Sequence, residues 1–226
     1  YLPQVRAICN KYGILLITDE IMSGFGRTGE WFAVDHWKVV PDIMSVAKGL
    51  TSGYVPLGAT IISEPIGQFF EDHVFWGGLT YNSHALACAA AIATINVYKE
   101  EGLIDNARKM GKLLGQELEK LKARHPSVGD VRYIGLFAIV ELVKNRQSKE
   151  PLAPFNAKAS EMGAVGKLAA FLRENGFYTF VRWNTFFINP PLTFYKNGSA
   201  MTGIKTPVDR THPLLRAAVS LTDAEV

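Results

Sequence analysis

Two ionisable residues stand where an apolar run stops. Asp19 follows Ile14-Leu15-Leu16-Ile17-Thr18, and Lys48 follows Ile43-Met44-Ser45-Val46-Ala47. A short continuous apolar run suits a strand buried on both faces of a helix-covered parallel sheet. In open sheets of that kind ligands bind beyond the carboxyl ends of the strands, so both side chains fall where chemistry is expected. A lysine desolvated by an apolar strand can present a neutral amine to an aldehyde and form a Schiff base, while a carboxylate can pair with a pyridinium nitrogen. Both roles belong to pyridoxal phosphate chemistry. The same pair also reads as a mutual salt bridge or as two surface side chains, since an unpaired buried charge is costly.

The elements that must carry these residues follow from the pattern around them. Apolar residues at Leu2, Val5, Ile8, Cys9 and Tyr12 have helical spacing, and Gly13 makes a stop. Between the two runs lie a glycine-rich turn, Ser23-Gly24-Phe25-Gly26-Arg27-Thr28-Gly29, and a short aromatic piece over residues 31–37. A third strand is expected over 57–63, antiparallel after a short connection containing Gly53 and Pro56. An alanine-rich helix over 83–98, a joint at Glu100-Glu101-Gly102 and a charged amphipathic helix over 104–124 come next. Paired strands over 128–133 and 136–143, a helix over 164–174 and strands over 178–182 and 186–188 have the alternation of a smaller α+β domain. The expected division is 1–98 and 99–226.

Other residues are weighed the same way. The spacing of Gly24, Gly26 and Gly29 differs from phosphate-loop and dinucleotide patterns and reads as a tight turn, with Arg27 tying it together. His36, His73, His84, His125 and His212 lack ligand spacing, so no metal site is expected. Trp31, Phe32, Trp37, Phe69, Phe70, Phe75 and Trp76 read as core or dimer-interface aromatics, with Trp76 a candidate lining for an amine pocket.

Composition excludes whole classes. At 226 residues with 48% apolar residues the chain can bury a substantial core. A formal charge of +3, from 24 basic and 21 acidic residues without long runs, leaves no nucleic-acid footprint. No apolar stretch reaches the roughly 18 to 20 residues of a membrane span. The two cysteines, Cys9 and Cys88, read as reduced thiols, which points to a cytoplasmic compartment. Tyr1-Leu2-Pro3 stands in place of an initiator Met, inside a helical pattern, and reads as entry into the middle of a domain. Thr222-Asp223-Ala224-Glu225 has the spacing of a capping box or of a frayed polar end.

A longer ordered match now stands out. Residues 14–29, with Pro41-Asp42-Ile43 and Ser45-Val46-Ala47-Lys48-Gly49 downstream, resemble the signature of the class III pyridoxal-phosphate aminotransferases. The resemblance covers about residues 1–192. It implies an α/β fold of the pyridoxal-phosphate transferase fold type I, with 1–98 the C-terminal part of the large, mostly parallel-sheet domain and 99–226 the small α+β C-terminal domain. It also implies a homodimer with shared active sites, and amino transfer from an amine or ω-amino acid to a keto acid such as pyruvate. Stretches 141–144 and 149–152 resemble the taurine and β-alanine type.

Carried over by position, Asp19 would bind the ring nitrogen, Lys48 would be the Schiff-base lysine and proton shuttle, and Ile21 would pack on the cofactor ring. Thr80 would reach the phosphate of the neighbouring subunit's cofactor, and Arg182, upstream of Pro190-Pro191-Leu192, would bind a substrate carboxylate. The Gly-Ser phosphate loop and the ring-stacking aromatic of such enzymes precede the Asp strand, and neither is in these residues. The chain is therefore expected to be the lysine-bearing part of a larger subunit and to bind cofactor weakly or not at all by itself. Residues 193–220, with loop signals at 196–199 and 206–208, match nothing in the family pattern. A decarboxylase or racemase of the same family stays open beside the transaminase reading, as does a catalytically silent dimerisation module.

Overall fold

Proline in the first turn and Gly13 at the far end bracket helix α1 (Leu2–Tyr12) in the computed structural model, which describes residues 1–194. Gly13 takes φ 65°, a left-handed conformation open to glycine, and the chain then turns into β1 (Ile17–Asp19). β1 runs parallel to β2 (Ile43–Val46), and β3 (Ala59–Ile62) lies antiparallel on the other side of β2, giving the order β1-β2-β3. Asp42 sets this register. Its carboxylate accepts from the Leu16 N–H at 2.7 Å and from the Arg6 guanidinium at 2.6 Å, so helix α1 and the starts of both parallel strands meet at one side chain. The Leu16 amide first, and Arg6 second, hold the Asp42 carboxyl below the usual carboxylate range.

The expected strand over 14–17, buried on both faces, is corrected. The strand begins only at Ile17, and Ile14, Leu15 and Ile17 are 53%, 56% and 62% exposed. A strand is covered on both faces only where other elements supply atoms above and below it. Among the described residues β2, with Met44 and Val46 buried, lies between β1 and β3, and little packs over Ile14, Leu15 and Ile17. The expected antiparallel third strand is present as β3.

A six-residue helix, α2 (Glu64–Phe69), is too short to leave a periodic trace and was not anticipated. The alanine-rich segment forms α3 (Ala85–Glu100), burying Ala87, Ala91, Thr94 and Tyr98 along one face at spacings of four, three and four.

The chain divides into two units, Tyr1–Asp105 and Asn106–Val226. The division falls inside α4 (Leu103–Arg124), a few residues beyond the expected boundary between 98 and 99. In the second unit α4 is followed by the hairpin β4 (Val128–Ile134) and β5 (Phe137–Asn145), the short β6 (Glu150–Pro151), α5 (Gly163–Glu174), β7 (Val181–Arg182) and β8 (Thr185–Ile188). The antiparallel sheet runs β4-β5-β8-β7, with β6 on β5. Its core is apolar: Leu118 and Leu121 from α4, Ala138, Val140 and Leu142 from alternate positions of β5, and Val165, Leu168 and Leu172 from α5. Helix α4 approaches the β4–β5 turn so closely that a Cβ at Gly111 would sit 2.5 Å from the Gly135 backbone.

The capping box at Thr222–Glu225, His212 and the loop signals at 196–199 and 206–208 lie outside the described residues. Among the described residues no helix is long and apolar enough to cross a membrane, and Cys9 and Cys88 are both free thiols, the first buried and the second half-buried.

Candidate active site

Parallel pairing places the carboxyl ends of β1 and β2 at one edge of the sheet. Asp19 is the last residue of β1 and pairs with Ser45, and the ladder continues one step further through the Glu20 N–H to the Ser45 carbonyl at 2.9 Å. Lys48 follows β2 after one intervening residue, at the same edge. Asp19 accepts a hydrogen bond from the Ile21 N–H at 2.9 Å on Oδ1, which orients the carboxylate and leaves its other oxygen without a hydrogen bond among the described residues. Asp19 and Lys48 are both exposed, and no ion pair joins them. The mutual salt bridge is thus not made, and the lysine is not desolvated by its strand. The backbone at Lys48 is unusual instead: φ is 38°, in a region that a long side chain rarely occupies.

The turn that begins at Glu20 is organised by that buried carboxylate, which is 2% exposed. Its oxygens accept from the Val34 N–H at 2.9 Å, from the Ala33 N–H at 3.0 Å and from the Ser23 hydroxyl. Three donors from two stretches of chain satisfy the charge, which makes burial tolerable. The loop closes on itself through the Phe25 N–H to the Trp31 carbonyl at 2.7 Å. Gly26 and Gly29 both take φ 87°, so the glycines serve left-handed turn geometry. Arg27 is partly buried beside Tyr98, and burial lowers its pKa from the ordinary arginine value.

Beneath the lysine turn lies an aromatic support that the sequence reading did not identify. Phe25 stacks on Tyr98 with centroids 6.2 Å apart and meets Phe32 edge-on at 5.6 Å, while Trp31 meets Tyr98 edge-on at 6.2 Å. A Cβ at Gly49 would come within 2.8 Å of the Phe25 Cβ, so the turn can rest on that ring only with glycine there. The signal was present in the glycine at 49 and the aromatics interleaved with glycines at 24–32, but nothing local tied them to Tyr98.

The other expected site residues fall in both units. Ile21 is half-buried directly after Asp19. Trp76, 93% exposed, and Thr80 lie on the exposed segment between α2 and α3. Arg182 belongs to the second unit, where its guanidinium lies 4.1 Å from the Trp183 ring centre, and Trp183 in turn lies 4.3 Å from Phe155. Of the remaining aromatics, Phe69, Phe70 and Phe75 are exposed, and Trp31 and Phe32 are half-buried.

Comparison with known proteins gives the family. The family model described as aminotransferase class III matches residues 1–202. A taurine–pyruvate aminotransferase of Bilophila wadsworthia is 42% identical over 183 residues, 76% of this chain and 39% of the relative. A putrescine–pyruvate aminotransferase of Pseudomonas aeruginosa is 37% identical over 193 residues, 85% of this chain and 41% of the relative. Among solved structures, the taurine:2-oxoglutarate aminotransferase of Bifidobacterium kashiwanohense, in complex with PLP and glutamate, superimposes with a TM-score of 0.89 at 40% identity, over 100% of this chain and 48% of that one. The chain spans about two-fifths of the length of the curated relatives it matches. That structural likeness gives the fold as the transferase fold type I expected from the motifs. With a family match over residues 1–202, the chain belongs to the class III aminotransferases.

Proposed function

We propose that the protein works as a pyridoxal-phosphate-dependent aminotransferase, moving an amino group from an amine or ω-amino acid to a keto acid such as pyruvate. The observation that carries this reading is the pair at the sheet edge: a carboxylate with an open oxygen and an exposed lysine amine, on adjacent parallel strand ends and not bonded to each other. The donor set fits the cofactor. A carboxylate suits a protonated ring nitrogen and an amine suits an aldehyde. When bound, pyridoxal phosphate supplies that aldehyde and a ring able to hold the electron pair left by a broken Cα–H bond. Asp19, oriented by the Ile21 N–H, accepts a hydrogen bond from the ring N–H and keeps the nitrogen protonated. The Lys48 amine would hold the aldehyde, and its Nζ, once free, would carry the substrate Cα proton as general base and then general acid.

Ile21 supports the ring, Thr80 contacts the phosphate of a second subunit's cofactor, and Arg182 binds a substrate carboxylate. A homodimer is supported by the run of exposed apolar side chains Phe75, Trp76, Leu79, Tyr81 and Leu86, since patches of that kind mark interfaces. The free thiols support a cytoplasmic setting. The test is borohydride reduction of the full-length subunit after incubation with pyridoxal phosphate, followed by peptide mass mapping. A pyridoxyl adduct on Lys48, absent from Lys48→Ala, together with alanine formed from pyruvate and an amine donor, is the expected result. No adduct at Lys48 would sink the proposal.

A further inference from the structure

The turn carrying Lys48 is conformationally costly and locally underdetermined. Lys48 sits at φ 38°, Ala47 before it has ψ −143°, and the helical stretch that follows is a single 3-10 turn, Lys48–Leu50. A left-handed backbone on a residue other than glycine persists only when its surroundings over-determine it. Within the turn the Gly49 carbonyl accepts a long bond, 3.3 Å, from the Ser52 N–H. Its short bond comes from elsewhere: the Tyr98 hydroxyl, reaching from α3 across a sequence separation of 49, donates to the Gly49 carbonyl at 2.6 Å. Tyr98 is itself fixed, 6% exposed, stacked on Phe25 and edged by Trp31. The Phe25 side chain also lies directly under Gly49. Phe25 therefore props the peptide next to Lys48 from below while the hydroxyl of Tyr98, whose ring stacks against it, bonds the carbonyl.

We propose that Tyr98 is the positioning residue for Lys48: its hydroxyl bond to the Gly49 carbonyl holds the left-handed turn that aims the Lys48 amine at the site edge. The inference rests on the reading of Lys48 as the amine that meets the cofactor aldehyde. Burial lifts the Tyr98 phenol above its usual pKa, against smaller downward pulls from Ser52 and Arg27. The hydroxyl thus stays a donor to higher pH than an exposed phenol would.

Tyr98→Phe removes the hydroxyl and keeps the ring stack. Two readouts are taken on the full-length subunit and its variant: the rate of borohydride trapping of pyridoxal phosphate on Lys48, and, without cofactor, the rate and pH dependence of Lys48 acetylation by acetic anhydride, each mapped by mass spectrometry. Thermal melting is measured in parallel. The expected result is trapping slowed by about fivefold or more, the scale of one net hydrogen bond, a changed acetylation rate at Lys48 alone among the lysines, and a variant that still melts cooperatively. A purely structural Tyr98 would lower the melting temperature and leave both lysine readouts unchanged, and that result overturns the inference. If the unsubstituted protein gives no Lys48 adduct, the reading of Lys48 fails and the inference with it. An adduct formed equally fast in both proteins overturns the positioning role alone.

Discussion

Asp19 and Glu20 are neighbouring carboxylates with opposite fates. In a strand successive side chains point to opposite faces, so the first projects to the open edge and the second into the turn, where three donors meet it. Sequence reading valued Asp19 and passed over Glu20, since position beside a strand end says nothing about which carboxylate is buried. Replacing Glu20 with Ala leaves the Ala33 and Val34 N–H groups without their acceptor, and a buried donor stripped of its partner costs about 1–3 kcal/mol. Glu20→Ala is expected to lower unfolding stability in urea by about 2–4 kcal/mol, with Glu20→Gln milder because one amide oxygen remains. Equal stability of Glu20→Ala and the unsubstituted protein would show that the turn closes without this carboxylate.

Among elements, the register of β1 on β2 rests on Asp42, which gathers the Leu16 amide and the Arg6 guanidinium. Its folded pKa is depressed, with the Leu16 hydrogen bond the larger cause and Arg6 the next. A depressed carboxylate contributes stability that is present above its unfolded value, near 3.9, and is lost as pH falls through the lower folded value. The melting temperature of the unsubstituted protein should therefore fall on going from about pH 6 to about pH 3 more steeply than that of Asp42→Asn, which lacks the titrating group. Parallel slopes in thermal melts across that window would remove Asp42 from the account. The contribution is modest, because the pair is partly solvated and exposed ion pairs are worth little.

For the molecule as a whole, the apolar interior most fully described is that of the second unit, where α4, α5 and alternate residues of β5 interlock. Leu142 is 1% exposed within it, and truncating it leaves a cavity that surrounding side chains fill only in part. Leu142→Ala should cost about 2–5 kcal/mol, read as a lower denaturation midpoint with unchanged slope. A loss under about 1 kcal/mol would mean that this core is loosely packed.

The sequence by itself determined what is local or periodic: the helices α1, α3, α4 and α5, the alternating strand β5, the two strand-end residues Asp19 and Lys48, and a family signature compact enough to be read in order. Tertiary structure decided the rest. Whether the run at 14–17 is buried depends on what covers its faces, which its composition does not state, and among the described residues little covers Ile14, Leu15 and Ile17. Whether Asp19 and Lys48 neutralise each other depends on side-chain direction at the sheet edge, which composition does not encode. The support of the lysine turn by Tyr98 joins residues 49 apart, and a hydrogen bond across that separation follows from the path of the chain in space, since no propensity or spacing within either segment specifies the other.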